Sequence, residues 1–243
     1  SSDGAGGITV TRSTASHQGF SICKGTSGTG TQNFAHGLGA KPEFVILRDL
    51  EDGSQHWQVQ HKDVNTNMAD ITTLGLNRDN AAGSSSGWWG GEPTSSVQYF
   101  TTNQVTGTND FVCYLFRRVP GLIGVGKYVG NGSAAGPMVV IDDGGSGSGF
   151  SPAWLMIKNI STNSRPWVIY DNKRTNVFNP TAATSNLLAN QNYTEATVGS
   201  FVLDFTASGF KIRDAAQTIN HSGDNFIYLA FAEHPFGGET LTQ

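Results

Sequence analysis

Apolar residues along this chain come in short runs of strand length, separated by polar stretches that are rich in glycine and serine. The run Phe44–Leu47 is continuous and is bounded by polar turns, which is typical of a strand that is buried on both faces. No window longer than about ten residues carries the i, i+3, i+4, i+7 stripe of an amphipathic helix. We therefore expect many strands and few, short helices.

Residues 56–62 show a different pattern, because polar and apolar positions alternate there. Strict alternation places successive side chains on opposite faces of a strand. One face holds Trp57, Val59 and His61, and we expect it to point to the interior. The other face holds polar side chains and is expected to face solvent, namely Gln58, Gln60 and Lys62.

The pattern of residues 42–57 recurs at residues 152–167. In both places a proline opens an apolar run, a basic and then a polar residue closes it, and a tryptophan follows at the same spacing. The segments Phe111–Pro120 and Phe226–Pro235 also share their phenylalanines and proline. This repetition predicts an all-β protein of two tandem, related antiparallel β-sandwich units of jelly-roll type. Trp57 and Trp167 are expected to lie in the two cores.

The predicted organisation has four parts. Residues 1–18 are rich in Gly, Ser and Thr and are expected to form a linker that leads into the first unit. The units are predicted at 19–121 and 122–237, and residues 238–243 are a tail.

Composition and charge limit the possible functions. The 31 glycines suit tight turns between short strands. The net charge of -4, with only 15 Lys and Arg that are scattered, argues against nucleic-acid binding, which usually needs a basic stripe. No apolar run reaches the roughly 18 residues of a membrane span, so we expect no membrane insertion. The sequence calls for no cofactor.

The two cysteines, Cys23 and Cys113, are too few for a disulfide framework and lack the close spacing of a zinc site. We expect free thiols in strands. A single bridge between them stays open as an alternative, because each lies in an apolar run and the two runs can be neighbouring strands.

Acidic and histidine residues give no specific catalytic signature. Glycosidases need two carboxylates that flank the scissile bond, and none of the strand carboxylates here forms a local pair. Asp142 and Asp143 precede a glycine-rich loop, where they are expected to be solvated turn residues, with a bound Ca²⁺ as the alternative. His36 lies in the turn before Phe44–Leu47, where a structural hydrogen bond is expected. No metal site is predicted.

Aromatic residues in loops are the better binding candidates. Trp88 and Trp89 lie in a loop of Gly and Ser with Glu92 close by, and flat rings on loops can stack on sugars or on a partner protein. The alternative is that the pair packs at the end of the sandwich. Asn192 and Tyr193, in a loop of the second unit, form a weaker candidate patch.

Four motifs resemble a repeated β domain of bacteriophage tail-fibre and other virion proteins, especially those of marine and cyanobacterial phages. They are His36–Ile46 (HGLGAKPEFVI), Tyr128–Ser133 (YVGNGS), Pro152–Lys158 (PAWLMIK) and Tyr228–Phe236 (YLAFAEHPF). The resemblance covers residues 19–236 and carries no catalytic residues.

The resemblance implies a virion part in the phage tail that acts outside the cell. Its partners would be a host-surface glycan or protein and other virion proteins, and it would be a homo-oligomer, with a trimer favoured. We expect a non-enzymatic binding module. The alternatives are a polysaccharide-degrading, tail-spike-like domain and a purely architectural assembly domain.

Overall fold

A computed structural model describes residues 7–145, 147–173, 185–193, 196–197 and 201–235. The chain divides into two compact units, Ser1–Arg117 and Arg118–Gln243. The division falls close to the predicted junction between residues 121 and 122. The predicted tail at 238–243 lies outside the described residues.

The described part of the first unit contains nine strands, all paired antiparallel. They are β1 (Val10–Ala15), β2 (Phe20–Thr26), β3 (Gln32–Ala35), β4 (Phe44–Asp49), β5 (Gln58–His61), β6 (Ile71–Thr72), β7 (Gly83–Ser84), β8 (Val97–Phe100) and β9 (Asp110–Phe116). The main sheet has the order β1-β2-β9-β4-β5, and β3-β8 and β6-β7 form two smaller sheets.

The described part of the second unit contains nine strands and one helix, α1 (Gln217–Asn220). The strands are β10 (Ile123–Val129), β11 (Met138–Val140), β12 (Pro152–Asn159), β13 (Val168–Asp171), β14 (Ser185–Leu188), β15 (Ala196–Thr197), β16 (Leu203–Thr206), β17 (Gly209–Ile212) and β18 (Asn225–Ala232). The main sheet has the order β10-β18-β12-β13-β14-β15, and β11-β17-β16 forms a second sheet. The all-β prediction is confirmed, as is the expectation of few, short helices.

In the first unit the small β3-β8 sheet packs on the main sheet through three phenylalanines. The rings of Phe34 and Phe100 lie 5.4 and 4.9 Å from that of Phe111 on β9. All three are fully buried. Such rings each remove a large apolar area from water, so this cluster contributes strongly to the core.

Aromatic side chains also join the two sheets of the second unit. The ring of Phe210 on β17 meets Tyr128 on β10 and Tyr228 on β18 edge-on, at 5.7 and 5.5 Å. The Tyr128 hydroxyl donates to the Ile219 carbonyl at 2.7 Å, so this buried polar group is satisfied.

The two units share a strand order. β2, β9, β4 and β5 are consecutive in one main sheet, and β10, β18, β12 and β13 are consecutive in the other. In each set, the strand that comes last in the sequence therefore lies between the two that come first: β9 between β2 and β4, and β18 between β10 and β12.

The turns that follow β4 and β12 are built alike. Asp49 ends β4, and its Oδ1 accepts from the amides of residues 51 and 52, both at 2.9 Å. Asn159 ends β12, and its Oδ1 accepts from the amides of residues 161 and 162 at 2.9 and 3.1 Å. Both side chains are fully buried. A short side-chain oxygen that holds the following amides in this way fixes the direction of the turn.

The turn residue and its partner exchange chemical type between the two units. In the first unit the Asn109 amide donates to both Asp49 carboxylate oxygens, at 3.2 and 3.1 Å. In the second unit the Asn159 amide donates to the Asp224 carboxylate at 2.8 Å. Each unit therefore holds one carboxylate and one amide at this place, one at the end of β4 or β12 and the other directly before β9 or β18.

The tryptophans after the turns occupy equivalent backbone positions but differ in burial. The amide of Trp57 donates to the Asn77 side chain at 3.1 Å, and the amide of Trp167 to the Asn190 side chain at 3.0 Å. Trp167 is fully buried, as predicted. The prediction is wrong for Trp57, because its ring is partly exposed beneath the Arg48 guanidinium, 6.0 Å from the ring centre.

Two further expectations about the first unit fail. Residues 10–15, within the predicted linker, form β1 and pair with β2 along its length. The predicted outer face of β5 is also buried, because Gln58 and Gln60 are covered. Gln60 donates to the Met68 carbonyl at 3.0 Å and accepts from the Gln98 amide at 2.8 Å, so its polar groups are satisfied inside the unit.

Candidate functional site

The loop of residues 85–94, here the tryptophan loop, docks on the segment of residues 68–72. The amide of Trp89 donates to the Ala69 carbonyl and the amide of Ser85 to the Asp70 carbonyl, each at 2.8 Å. The Asp70 carboxylate accepts from the amide of Gly87 at 2.8 Å. Because these bonds hold the loop at three places, it has a defined backbone although it contains no regular strand or helix.

Trp89 is not available to a ligand. Its side chain is 1% exposed, and its indole N–H donates to the Ile71 carbonyl at 2.9 Å. The prediction that this ring stacks on a ligand is therefore wrong. In place of a surface role, Trp89 fixes the tryptophan loop to the core.

Trp88, the neighbouring residue, is partly exposed, although its indole nitrogen is buried. Its carbonyl oxygen accepts from three side chains, Thr101 at 3.0 Å and Asn103 and Gln104 at 3.2 Å each. Gln104 is fully buried. The backbone that carries Trp88 is thus fixed before any ligand arrives, which lowers the entropic cost of binding.

Glu92 lies in the same loop, and its carboxylate already has partners. Its carboxylate pairs with Lys41 and also accepts from the amide of Ala69 at 3.3 Å. Both charged side chains stay partly exposed. A ligand that reaches Glu92 would therefore meet an ion pair in place of a single free carboxylate.

Tyr193 is the most exposed large apolar side chain among the described residues, at 72%. Asn192 beside it is also exposed. The loop that leads to them is tied to the buried Trp167, since the Asn190 side chain accepts from its amide and the amide of Ala189 donates to its carbonyl at 3.1 Å. An exposed phenol next to an exposed amide offers a flat ring and both kinds of hydrogen-bonding group.

His36 has the predicted structural role. It is fully buried, its Nδ1 accepts from the amide of Leu38 at 3.1 Å, and its Nε2 lies 3.2 Å from the Thr94 carbonyl, to which it donates. Burial lowers the pKa of the imidazole, so the ring is neutral near pH 7.

Asp143 differs from the expected solvated turn residue, whereas the Asp142 side chain remains 41% exposed. Asp142 pairs with Arg118. Asp143 is buried, and its two oxygens accept from the amides of Gly121 and Gly145, both at 2.9 Å. Burial with two backbone donors is the signature of a structural loop carboxylate. Within the described residues, no group of three His, Cys, Asp or Glu is placed to hold a metal ion.

Met138 and Val140 on β11 form an exposed apolar pair that the sequence did not reveal. They are 47% and 46% exposed, while Val139 between them is buried. The run Met138–Ile141 is apolar throughout, so it lacks the alternation that would have marked one face as exposed.

No helix in the described part of the chain is long and apolar enough to cross a membrane. No curated protein and no solved structure matches the chain. A family model described as a domain of unknown function, DUF7483, matches residues 1–235. The chain therefore belongs to the DUF7483 family.

Proposed function

We propose that this chain is a non-enzymatic binding module of a bacteriophage tail fibre or a related adhesin. It recognises a glycan or protein on the host surface through its loops, acts as part of the virion and works as a homo-oligomer. The resemblance of four motifs to phage fibre domains supports the setting. The exposed Tyr193, on a loop anchored to the core, supports the binding role.

Tyr193 is the main support for this proposal, because its ring is exposed and an exposed amide side chain lies beside it. At 72% exposure, the Tyr193 ring keeps most of its apolar area open for a ligand to cover. Sugar rings present C–H faces that stack on phenols, and the neighbouring Asn192 amide can bond to ring hydroxyls. Trp88, partly exposed on the fixed tryptophan loop of the first unit, offers a separate contact of the same chemical kind.

The first test compares Tyr193→Ala with Tyr193→Phe in the full chain, on a glycan array and on host cells. Loss of the ring should reduce binding at least about tenfold, which corresponds to about 1.4 kcal/mol, because stacking and burial of one aromatic ring have this magnitude. Tyr193→Phe keeps the ring and should retain most of the binding. Trp88→Ala, measured in parallel, shows whether the tryptophan loop contributes.

Two results would contradict the proposal. Equal binding by the natural chain, Tyr193→Ala and Trp88→Ala would place recognition elsewhere. Release of new reducing ends from host capsule or exopolysaccharide would instead support the polysaccharide-degrading alternative.

The architectural alternative is favoured by one observation, the open edge of β11. Ile212 donates to the Pro137 carbonyl and Ile141 to the Ser208 carbonyl, so the alternate residues Met138 and Val140 turn their backbone groups away from β17. In the described part of the unit, no strand lies beyond β11. An apolar open edge is where another chain can add a strand.

Val140→Lys tests this alternative, because a charge on an open edge opposes strand addition. We expect the solution mass, measured by light scattering, to fall from that of an oligomer to that of one chain. Leu50→Lys is the matched control, since Leu50 is similarly exposed (48%) but lies outside β11. An oligomer that persists in Val140→Lys shows that copies associate through another surface.

A further inference from the structure

Cys23 and Cys113 face each other on neighbouring strands of the first unit. They are opposite residues in the β2–β9 pairing. The backbone amide of Ser27 donates to the Asn109 carbonyl at 2.8 Å, and that of Arg117 donates to the Gly19 carbonyl at 2.9 Å. Each of these bonded pairs lies four residues along the strands from the cysteine pair. This periodicity places the cysteines at a hydrogen-bonded pair, where Cα atoms lie about 5.5 Å apart. Disulfides have the same Cα separation, and forming the bond would bring the Cβ atoms from about 5.5 Å to within about 4.5 Å of each other.

Both cysteines are free thiols in the structure, and both are fully buried. The Ser21 hydroxyl lies 3.7 Å from the Cys23 sulfur. Burial raises the pKa of both thiols, and the neighbouring Cys23 raises that of Cys113 further. The thiols are therefore protonated and slow to react while the strands stay closed, because the thiolate is the reactive form.

The strand arrangement itself does not require two thiols at this place. The equivalent pair in the second unit is Gly126 on β10 opposite Tyr228 on β18. A Cβ atom at Gly126 would lie 2.5 Å from the Tyr228 hydroxyl oxygen, so one large side chain fills that position. The same arrangement thus accepts unrelated residues, and the facing cysteines are particular to the first unit.

We propose that Cys23 and Cys113 form an oxidation site, at which a low-molecular-weight disulfide converts the two thiols into one intramolecular bond between β2 and β9. One cysteine thiolate attacks a sulfur of the reagent and releases a thiol. The second thiolate attacks the resulting mixed disulfide and releases the other thiol. The protein loses two protons and two electrons, and the reagent is reduced to two thiols.

The bond would stabilise the first unit. It joins residues about 90 positions apart, and cross-links over long loops remove the most entropy from the unfolded chain. The first unit would then be more stable in oxidising surroundings, where the bond persists, than in reducing ones, where it is broken. This inference holds for any function of the surface loops, because neither cysteine is exposed.

The test incubates the full chain with oxidised glutathione, at a temperature where amide exchange shows that β2 opens during the incubation. The chain has only these two cysteines, so the assay is unambiguous. We expect an intact mass lower by two hydrogens and a peptide map that links Cys23 to Cys113. The midpoint of thermal unfolding of the first unit should rise by about 5 °C or more and return after reduction by dithiothreitol.

Cys23→Ala and Cys113→Ala are the controls, and either of them that folds should take up glutathione without the shift in midpoint. Three results would overturn the proposal. These are two free thiols after β2 has opened, a mixed disulfide that persists in the natural chain, and a bridge that forms only in denaturant.

Discussion

Replacing Trp89 with alanine is expected to lower the free energy of unfolding of the first unit by about 3–5 kcal/mol. The side chain is buried, and a large-to-small change in a core costs this much because a cavity remains. The substitution also leaves the Ile71 carbonyl without its indole donor. Urea unfolding of the full chain gives the total loss, and hydrogen exchange of peptides from residues 7–117 assigns it to the first unit.

Trp88→Ala is the matched control for this prediction, since it removes the same side chain from the adjacent position. We expect a clearly smaller loss, because the Trp88 ring is partly exposed and its backbone carbonyl keeps its three donors. Equal losses in the two variants would show that Trp89 is no more important to the core than its neighbour. Joint replacement of both tryptophans cannot separate binding from folding, and Trp88→Ala alone is the useful binding variant.

Asp49→Asn is expected to destabilise the first unit by about 2–3 kcal/mol. The carboxylate accepts from the amides of residues 51, 52 and 106 and from the Asn109 side chain. Asparagine replaces one of the accepting oxygens with an NH2 group, which cannot accept from the N–H groups around it. Hydrogen bonds to a buried charged group contribute a free energy of this size. Urea unfolding of the variant measures the loss.

The second unit suggests how to recover part of this loss. There the amide lies on the β12 side, at Asn159, and the carboxylate opposite, at Asp224. The double variant Asp49→Asn, Asn109→Asp reproduces that arrangement in the first unit. We expect it to be more stable than the sum of the single variants predicts. Additive losses would mean that the pair contributes no coupling.

The Asp49 carboxylate makes the stability of the first unit depend on pH in the acid range. Burial, the largest influence, raises the pKa of Asp49, but the hydrogen bonds from the amides of Asp52, Thr106 and Glu51 and from Asn109 outweigh it and lower the pKa. The folded chain therefore binds the proton more weakly than the unfolded chain. The stabilisation is complete above the unfolded value of about 3.9 and is lost as the pH falls through the lower folded value. Asp49→Asn should show a shallower loss of stability in that range.

Apolar runs were sufficient to predict the central strands, and the recurrence of Pro42–Trp57 at Pro152–Trp167 pointed to positions that the structure makes equivalent. β1 escaped prediction because an edge strand bonds through its backbone, which leaves residues 11–14 free to be polar and exposed. The burial of Gln60 was equally hidden. Its amide bonds to residues distant in sequence, so no local pattern announces it.

The candidate site was predictable only as a set of loops. Two adjacent tryptophans in an irregular loop carry no periodicity, so nothing in the sequence tells which ring points inward. The docking of the tryptophan loop on residues 68–72 decides this, through contacts between segments that are not neighbours in the chain. Asp49 follows an apolar run, so the sequence indicates a carboxylate at a strand end but no partner for it. Its use by four donors becomes visible only when residues 106 and 109 are brought beside it.

The shared strand order also determines when each unit can fold during synthesis. β9 lies between β2 and β4, and β18 lies between β10 and β12, so in each main sheet a central strand is the last to leave the ribosome. Until it arrives, its two neighbours each present an unpaired edge, and the pairings it makes span long stretches of sequence that close slowly. A nascent or truncated chain that ends before Phe226 would therefore contain a complete first unit. Its second unit would lack β18, the strand that joins β10 to β12.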